Sequence, residues 1–173
     1  SHGKTSMLTL LLTGIAISSF LSACTSLLIS FSNAGVMLQI VQWLMGDLNG
    51  RDWGHVQILI IPVLFSICLF IYYASDLDIF LLGEEQAQNM GISVQRTRNW
   101  LLIVASLVTG ISVALTGAIG FVGLIVPHMI RMIIGPSHRY LLPASALGGA
   151  TFLILADLIS RLVIRPAEIQ IGI

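Results

Sequence analysis

The sequence predicts an all-α polytopic membrane protein with about five transmembrane helices and several shorter re-entrant or interfacial helices. Hydrophobic residues make up 56% of the 173 residues and charged residues only 9%, whereas soluble domains carry about 25% charged residues. The apolar residues also fall in runs close to the ~20 residues that cross ~30 Å of hydrocarbon. The formal net charge is zero, so the composition gives no sign of a nucleic-acid partner.

The first apolar run, Met7–Phe31, is predicted to be a transmembrane helix. Small residues recur along it at every fourth position, and they include Gly14, Ser18, Ser22 and Ser26. In lipid, such a stripe lets a neighbouring helix approach closely and offers hydroxyls for interhelical bonds. Packing of this kind and the lining of a solvated path both stay open as uses of the stripe.

The next segment is shorter and more polar. Asn33 and Gly35 interrupt the helix, Val36–Met45 is long enough only for a short one, and "GDLNGRDWGH" is rich in turn-forming residues. Trp43 and Trp53 bracket this part of the chain, as tryptophan does near lipid headgroups. We therefore expect a short interfacial or re-entrant helix here.

The second predicted span is His55–Tyr73, and the longest polar stretch of the chain, Asp76–Asn99, follows it. Within that stretch Gly83 and Gly91 enclose "EEQAQNM" and predict one isolated helix of about two turns. Ser93 is a candidate cap for a second short helix.

The third predicted span is Trp100–Leu115, and the segment "GAIGFVGLIVPHMIR" begins a short fourth span that ends near Ile134. Pro127 is expected to kink that helix. Three glycines are expected to end the third span, turn the chain and allow close helix packing: Gly117, Gly120 and Gly123.

A loop, "GPSHRYLLP", is predicted to precede the fifth span, Ala144–Leu162. Basic residues favour the cytoplasmic side of a membrane. Five spans place Lys4, Arg96, Arg98, Arg131 and Arg139 on one side, and Arg51, Arg161 and Arg165 on the other. This bias places the Glu84–Arg98 segment in the cytoplasm.

No motif for catalysis or for a resident cofactor is found. Cys24 and Cys68 lie within apolar runs, as expected for small buried hydrophobes. His128 and His138 lack partners at metal-ligand spacing, so no metal site is predicted. The chain contains no Walker-type phosphate loop, and we expect it neither to hydrolyse ATP nor to act as an enzyme.

Five ordered blocks resemble the permease subunits of FecCD-like, type II ABC importers for iron-siderophores, haem and cobalamin. They are "WLMGDLNGRDW", "LLGEEQAQNMGIS", "GAIGFVGLIVPHMIR", "HRYLLPASALGGATFLILADLISR" and "EIQIGI". The resemblance extends from about Leu11 to Ile173. Family permeases have about ten spans, so it implies a C-terminal-half fragment that lacks about the first four spans and the last. It also implies a single transmembrane permease domain over residues 1–173, with a cytoplasmic coupling loop at 76–99.

The resemblance implies import of a substrate by alternating access, driven by a separate ATPase. The implied partners are a second permease copy, two ABC ATPase subunits that hold ATP and magnesium, a periplasmic or lipid-anchored substrate-binding protein, and the lipid bilayer. The implied location is a bacterial or archaeal plasma membrane. Two alternatives stay open: an ion-coupled secondary transporter, which would need carboxylates or broken helices at mid-membrane, and a purely structural membrane subunit.

The resemblance also implies roles for individual residues. The short helix of the coupling loop would dock on the ATPase through exposed apolar residues and an acidic pair, and its residues are Leu82, Gly83, Glu84, Glu85, Ala87, Met90 and Gly91. At the outer mouth, Arg161 would pair with a glutamate of the binding protein, with Arg165 and Glu168 as weaker candidates. Asp157 and Arg161 are also spaced as a helical ion pair, acid before base, and the two roles are compatible.

Overall fold

The computed structural model describes residues 7–163, and all the regular secondary structure in this range is helical. In chain order the helices of this part are α1 (Met7–Ser30), α2 (Ala34–Leu44), α3 (Trp53–Tyr72), α4 (Ala74–Phe80), α5 (Glu84–Asn89), α6 (Val94–Thr116), α7 (Val122–Ile134) and α8 (His138–Val163). Four of them, α1, α3, α6 and α8, are long and apolar enough to cross a membrane. The chain is therefore a multi-pass membrane protein.

The short fourth span corresponds to α7, which has 13 residues. At 1.5 Å per residue this gives about 20 Å, less than the ~30 Å of a bilayer core. The helix is short because the chain between Gly117 and Phe121 is not helical. Four helices of the described part, rather than five, reach spanning length.

The helices fall into two compact units, divided between Gln42 and Trp43. The first unit contains α1, whose surface is largely exposed and apolar, and whose Thr13 and Thr25 hydroxyls bond to carbonyls one turn earlier. The second unit contains α3 to α8. There α7 packs on α8, α3 contacts α6 and α8, and α4 contacts α5 and α8. That residues 1–173 act as one permease domain stays a prediction.

Helix α6 differs from its predicted form, because the short helix expected after Ser93 and the span expected from Trp100 are one continuous helix. Val94, Thr97 and Val104 are buried along it, and no glycine or proline interrupts the first turns. The Ser93 side chain makes no capping hydrogen bond. Because Val94, Thr97 and Val104 form one buried face along the helix, the end of the polar stretch and the membrane span belong to a single helix.

The loop predicted over "GPSHRYLLP" is also shorter than expected. Only Gly135–Ser137 lies outside a helix, and α8 begins at His138 and continues through Pro143. Helix α4, which follows α3 after Tyr73 and buries Ala74, is likewise absent from the predicted elements. One long-range contact joins these two regions, since Asp78 of α4 accepts the backbone N–H of His138 at the start of α8.

Candidate functional site

Helix α5 has six residues, and a glycine lies next to each of its ends. Gly83 precedes it at φ 110° and Gly91 follows it at φ 83°, a region of backbone conformation that other residues seldom adopt. At the C-terminal end, the N–H of Ile92 donates to the Ala87 carbonyl at 3.1 Å and the N–H of Gly91 donates to the Gln88 carbonyl at 2.9 Å. This pair of bonds is a Schellman motif. The helix expected between the two glycines is therefore present.

The apolar residues of this segment do not share one exposed surface, contrary to the sequence-based expectation. Leu82 and Met90 are 61% and 62% exposed, whereas Ala87 is fully buried. Helix α5 contacts α4 and α6, so its small central residue lies against the rest of the protein. The exposed surface of α5 is thus formed by its two ends and its polar side chains.

An ion pair joins α5 to α6. Arg98 Nη1 donates to Glu84 Oε1 at 3.0 Å, and Arg98 Nη2 donates to Gln95 Oε1 at 2.8 Å. The Gln95 amide in turn donates to Asn99 at 3.0 Å. Glu84 therefore has an internal partner, and Glu85 is the exposed carboxylate of α5 for which no ion pair is seen within residues 7–163.

A second polar cluster joins α4 to the start of α8. Asp78 Oδ1 accepts from the His138 backbone N–H at 2.7 Å and from its Nδ1 at 2.6 Å, while Oδ2 accepts from the Ser137 hydroxyl at 3.1 Å. Burial raises the pKa of Asp78, but the hydrogen bonds from His138 and Ser137 outweigh it and hold that pKa below its ordinary value. The polar loop and the α7–α8 turn thus lie at the same end of the helices, as the predicted orientation requires.

The histidine of this cluster has two polar partners. Its ring is mostly buried, with 13% of the side chain exposed, and Nε2 lies 3.5 Å from Arg131 Nη2. Because guanidinium can only donate, Nε2 accepts and Nδ1–H donates to Asp78. The sequence had suggested only a polar loop residue at position 138. No cluster of three or more metal-ligating side chains occurs in the described part of the chain.

At the far end of α8, Asp157 and Arg161 form the ion pair that their spacing predicts. Arg161 Nε and Nη2 donate to the two carboxylate oxygens at 2.9 and 3.1 Å. The docking role of Arg161 stays a prediction, and Arg165 and Glu168 lie outside the described residues.

Gly117 ends α6 at φ 74° and lies against the backbone of Trp43 and Gly46. A Cβ at Gly117 would overlap the Trp43 carbonyl oxygen, and a Cβ at Gly46 would lie 2.7 Å from the Ala118 carbonyl oxygen. The Asp47 N–H donates to the Thr116 carbonyl at 2.8 Å across the same contact. The expected close backbone approach therefore occurs at Gly117, with Gly46 as a partner that the sequence did not reveal.

The other small residues singled out in the sequence have more open surroundings. No atom lies within 4 Å of a Cβ built at Gly14, Gly120 or Gly123. The serines of the α1 stripe are exposed, so both uses of that stripe stay predictions. Helix α7 continues through Pro127 to Ile134. Its close approach to α8 occurs instead at Gly148, where a Cβ would lie 2.5 Å from the Ile130 side chain and 3.3 Å from that of Val126.

The matching family model is that of the FecCD transport family, over residues 1–173. The cobalamin import system permease protein BtuC of Halobacterium salinarum is 44% identical over 160 residues, which are 92% of this chain and 43% of that protein. The ferric dicitrate transport system permease protein FecD of Escherichia coli is 42% identical over 164 residues, 95% of this chain and 51% of that protein. The chain thus spans about half the length of these relatives.

A solved structure has the same fold. It is described as an inward-facing conformation of a metal-chelate type ABC transporter, and it matches with a TM-score of 0.91 at 33% identity. The match covers 96% of this chain and 54% of the other.

Proposed function

The chain belongs to the FecCD transport family, and from that premise we propose that it forms half of the membrane subunit of an ABC importer. The importer depends on a substrate-binding protein and moves its substrate inward by alternating access. Two separate ATPase subunits hold ATP and magnesium and drive the cycle. The membrane subunit pairs with a second copy, in the plasma membrane of a bacterium or archaeon.

The proposed substrate is a chelated metal complex of the iron-siderophore, haem or cobalamin type. The relatives' names support this class, since one imports cobalamin and another ferric dicitrate. In such a substrate the metal is already enclosed by its own ligands. The transporter therefore needs a path for a bulky complex and no metal-ligand cluster of its own.

The observation that carries the proposal is the geometry of α5. A coupling element must be rigid and exposed at once, so that movement of an ATPase is transmitted into the membrane. Helix α5 meets both conditions, because glycines define its ends, buried Ala87 and the Glu84–Arg98 pair fix it to its neighbours, and Leu82 and Met90 remain exposed. Along the chain, α4 lies between α5 and the span α3, and residues 90–93 connect α5 to the span α6.

The two alternatives predict different chemistry. An ion-coupled transporter uses carboxylates near mid-membrane. Within the four spanning helices of the described part, the one acidic residue is Asp157, and it is bonded to Arg161 near the end of α8. This arrangement favours the ATP-driven mechanism over ion coupling.

The test is reconstitution of the full-length permease with its ATPase in liposomes, with the binding protein supplied outside. Uptake of radiolabelled cobalamin, ferric dicitrate and haem is measured with ATP inside, using an ATPase that lacks its catalytic glutamate as the control. ATP-dependent accumulation of one substrate is expected. Accumulation that follows an ion gradient with the inactive ATPase would overturn the mechanism, and active ATP hydrolysis without uptake of any of the three would support a structural subunit.

A further inference from the structure

Asp78 has an unusual position, because it caps a helix that lies 60 residues away in sequence. Ser137, directly before α8, donates its hydroxyl to Asp78, so the carboxylate from α4 takes the place of the local cap. An anion at a helix N-terminus is stabilised by the free N–H groups and the helix dipole. Hydrogen bonds to an ionised group are also roughly twice as strong as neutral ones.

Helix α4 is the immediate neighbour of α5 along the chain. Leu81–Gly83 alone separates the two helices, and the N–H groups of Leu81 and Leu82 bond back to carbonyls in the last turn of α4. The two helices are also in contact. The two helices are therefore closely connected, and Asp78 lies one turn before the connection.

Helix α8 extends away from this contact toward the opposite face. It has 26 residues, about 39 Å at 1.5 Å per residue, and its other end bears the Asp157–Arg161 pair. Thus α5 has one polar link to α6 through Glu84 and Arg98, and a second to α8 through α4 and Asp78. The two links lead to different membrane spans.

We propose that Asp78 is a positioning residue that transmits displacement of α5 to α8. This inference rests on the proposed function, in which the ATPase moves α5. The cap holds the first turn of α8 to α4 through both side chain and backbone, so α8 follows α4 when α5 is displaced. Without the carboxylate, α4 and α8 remain in contact but lose these directional bonds.

A purely stabilising cap makes a different prediction. If the cap only stabilised the protein, its loss would lower the stability of the variant, but the movements within an assembled complex would be unchanged. Distance changes between spin labels separate the two roles and require no knowledge of the substrate. A label at Gln88 reports on α5, and a label at Leu158 reports on the far end of α8; both side chains are exposed.

The experiment uses the full-length permease assembled with its ATPase, with its native cysteines replaced. Distances between equivalent labels on the two permease copies are measured by double electron–electron resonance, without nucleotide and after trapping with ATP and vanadate. In the unmodified protein both label pairs are expected to shift. In Asp78→Ala the Gln88 pair is expected to shift normally, while the Leu158 shift falls by at least half.

Asp76→Ala is the matched control, since it removes a carboxylate from the same helix and leaves the α8 cap in place. If Asp78→Ala does not assemble, the double substitution Ser137→Ala with His138→Ala leaves only the backbone bond, and a similar loss is expected. A full Leu158 shift in either variant would overturn the proposal. Absence of a Gln88 shift in the unmodified complex would instead overturn the proposed function on which it rests.

Discussion

The Glu84 carboxylate and the Arg98 guanidinium lie 3.0 Å apart and join α5 to the first turns of α6. Glu84 is 59% exposed and Arg98 34% exposed, so solvent screens the attraction between them. Exposed pairs of this kind contribute about 0–1 kcal/mol. The importance of the pair therefore lies in the orientation of α5 rather than in the stability of the protein.

Arg98→Ala is expected to lower the ratio of substrate transported to ATP hydrolysed by up to about fivefold. A fivefold change corresponds to about 1 kcal/mol, the upper limit for an exposed ion pair. Thermal stability in detergent should change little. The exchange Glu84→Arg with Arg98→Glu restores an ion pair and is expected to recover part of the loss. A double exchange that transports no better than either single variant would contradict the role of the pair.

Replacement of Glu84–Met90 by a Gly/Ser linker of equal length is expected to uncouple ATP hydrolysis from transport. The linker has neither the Schellman motif nor buried Ala87, so it cannot move as a rigid body. Membrane insertion and basal ATP hydrolysis serve as controls and should persist. Uptake at the unmodified rate would remove α5 from the coupling pathway.

Gly117→Ala is expected to destabilise the protein by about 2 kcal/mol or more, because it adds steric overlap to strain at positive φ. The overlapping atom is the Trp43 carbonyl oxygen, which belongs to the backbone and cannot rotate away. Gly120→Ala is the matched control, since no atom lies within 4 Å of its added methyl group. Thermal unfolding in detergent compares the two, and equal midpoints would disprove the backbone contact.

Arg161→Glu is expected to weaken binding of the substrate-binding protein and to break the Asp157 pair on the same helix. The helical pair alone contributes only about 0.2–0.5 kcal/mol to the stability of the helix. A loss of binding free energy larger than this therefore reports on docking. Asp157→Asn is the control that breaks the pair but keeps the cation. Affinity is measured by surface plasmon resonance, and equal affinities of Arg161→Glu and the unmodified protein would exclude Arg161 from the docking surface.

The Asp78 cap is expected to make stability depend on pH. Its folded pKa lies below the ordinary value of 3.8, so the carboxylate stabilises the folded state above pH 3.8. That contribution is lost as the pH falls through the folded pKa. Asp78→Asn should therefore be less stable than the unmodified protein at pH 7, with the difference shrinking below pH 3.8. A difference that is constant from pH 7 to pH 3 would contradict the ionised cap.

The features that the sequence predicted well depend on local signals. Apolar run length placed α1 and α2 within about two residues of their observed ends, and Gly83 and Gly91 enclosed α5. The errors occur where distant residues decide local structure. At the start of α8, the His138 N–H bonds to Asp78, 60 positions away, and Gly117 lies against a glycine from another segment. Neither pairing leaves a periodic or compositional trace that a single sequence displays.

The continuity of α6 has a mechanical consequence. Its 23 residues form a rod of about 35 Å. The Glu84–Arg98 ion pair lies near one end of this rod, and the backbone contact of Gly117 comes directly after the other end. If the helix pivots about the end that bears Arg98, a tilt of about 5° displaces the opposite end by about 3 Å over that length. Helix α6 would thus act as a lever arm that converts a small rotation at its α5 end into a movement of about 3 Å at its Gly117 end.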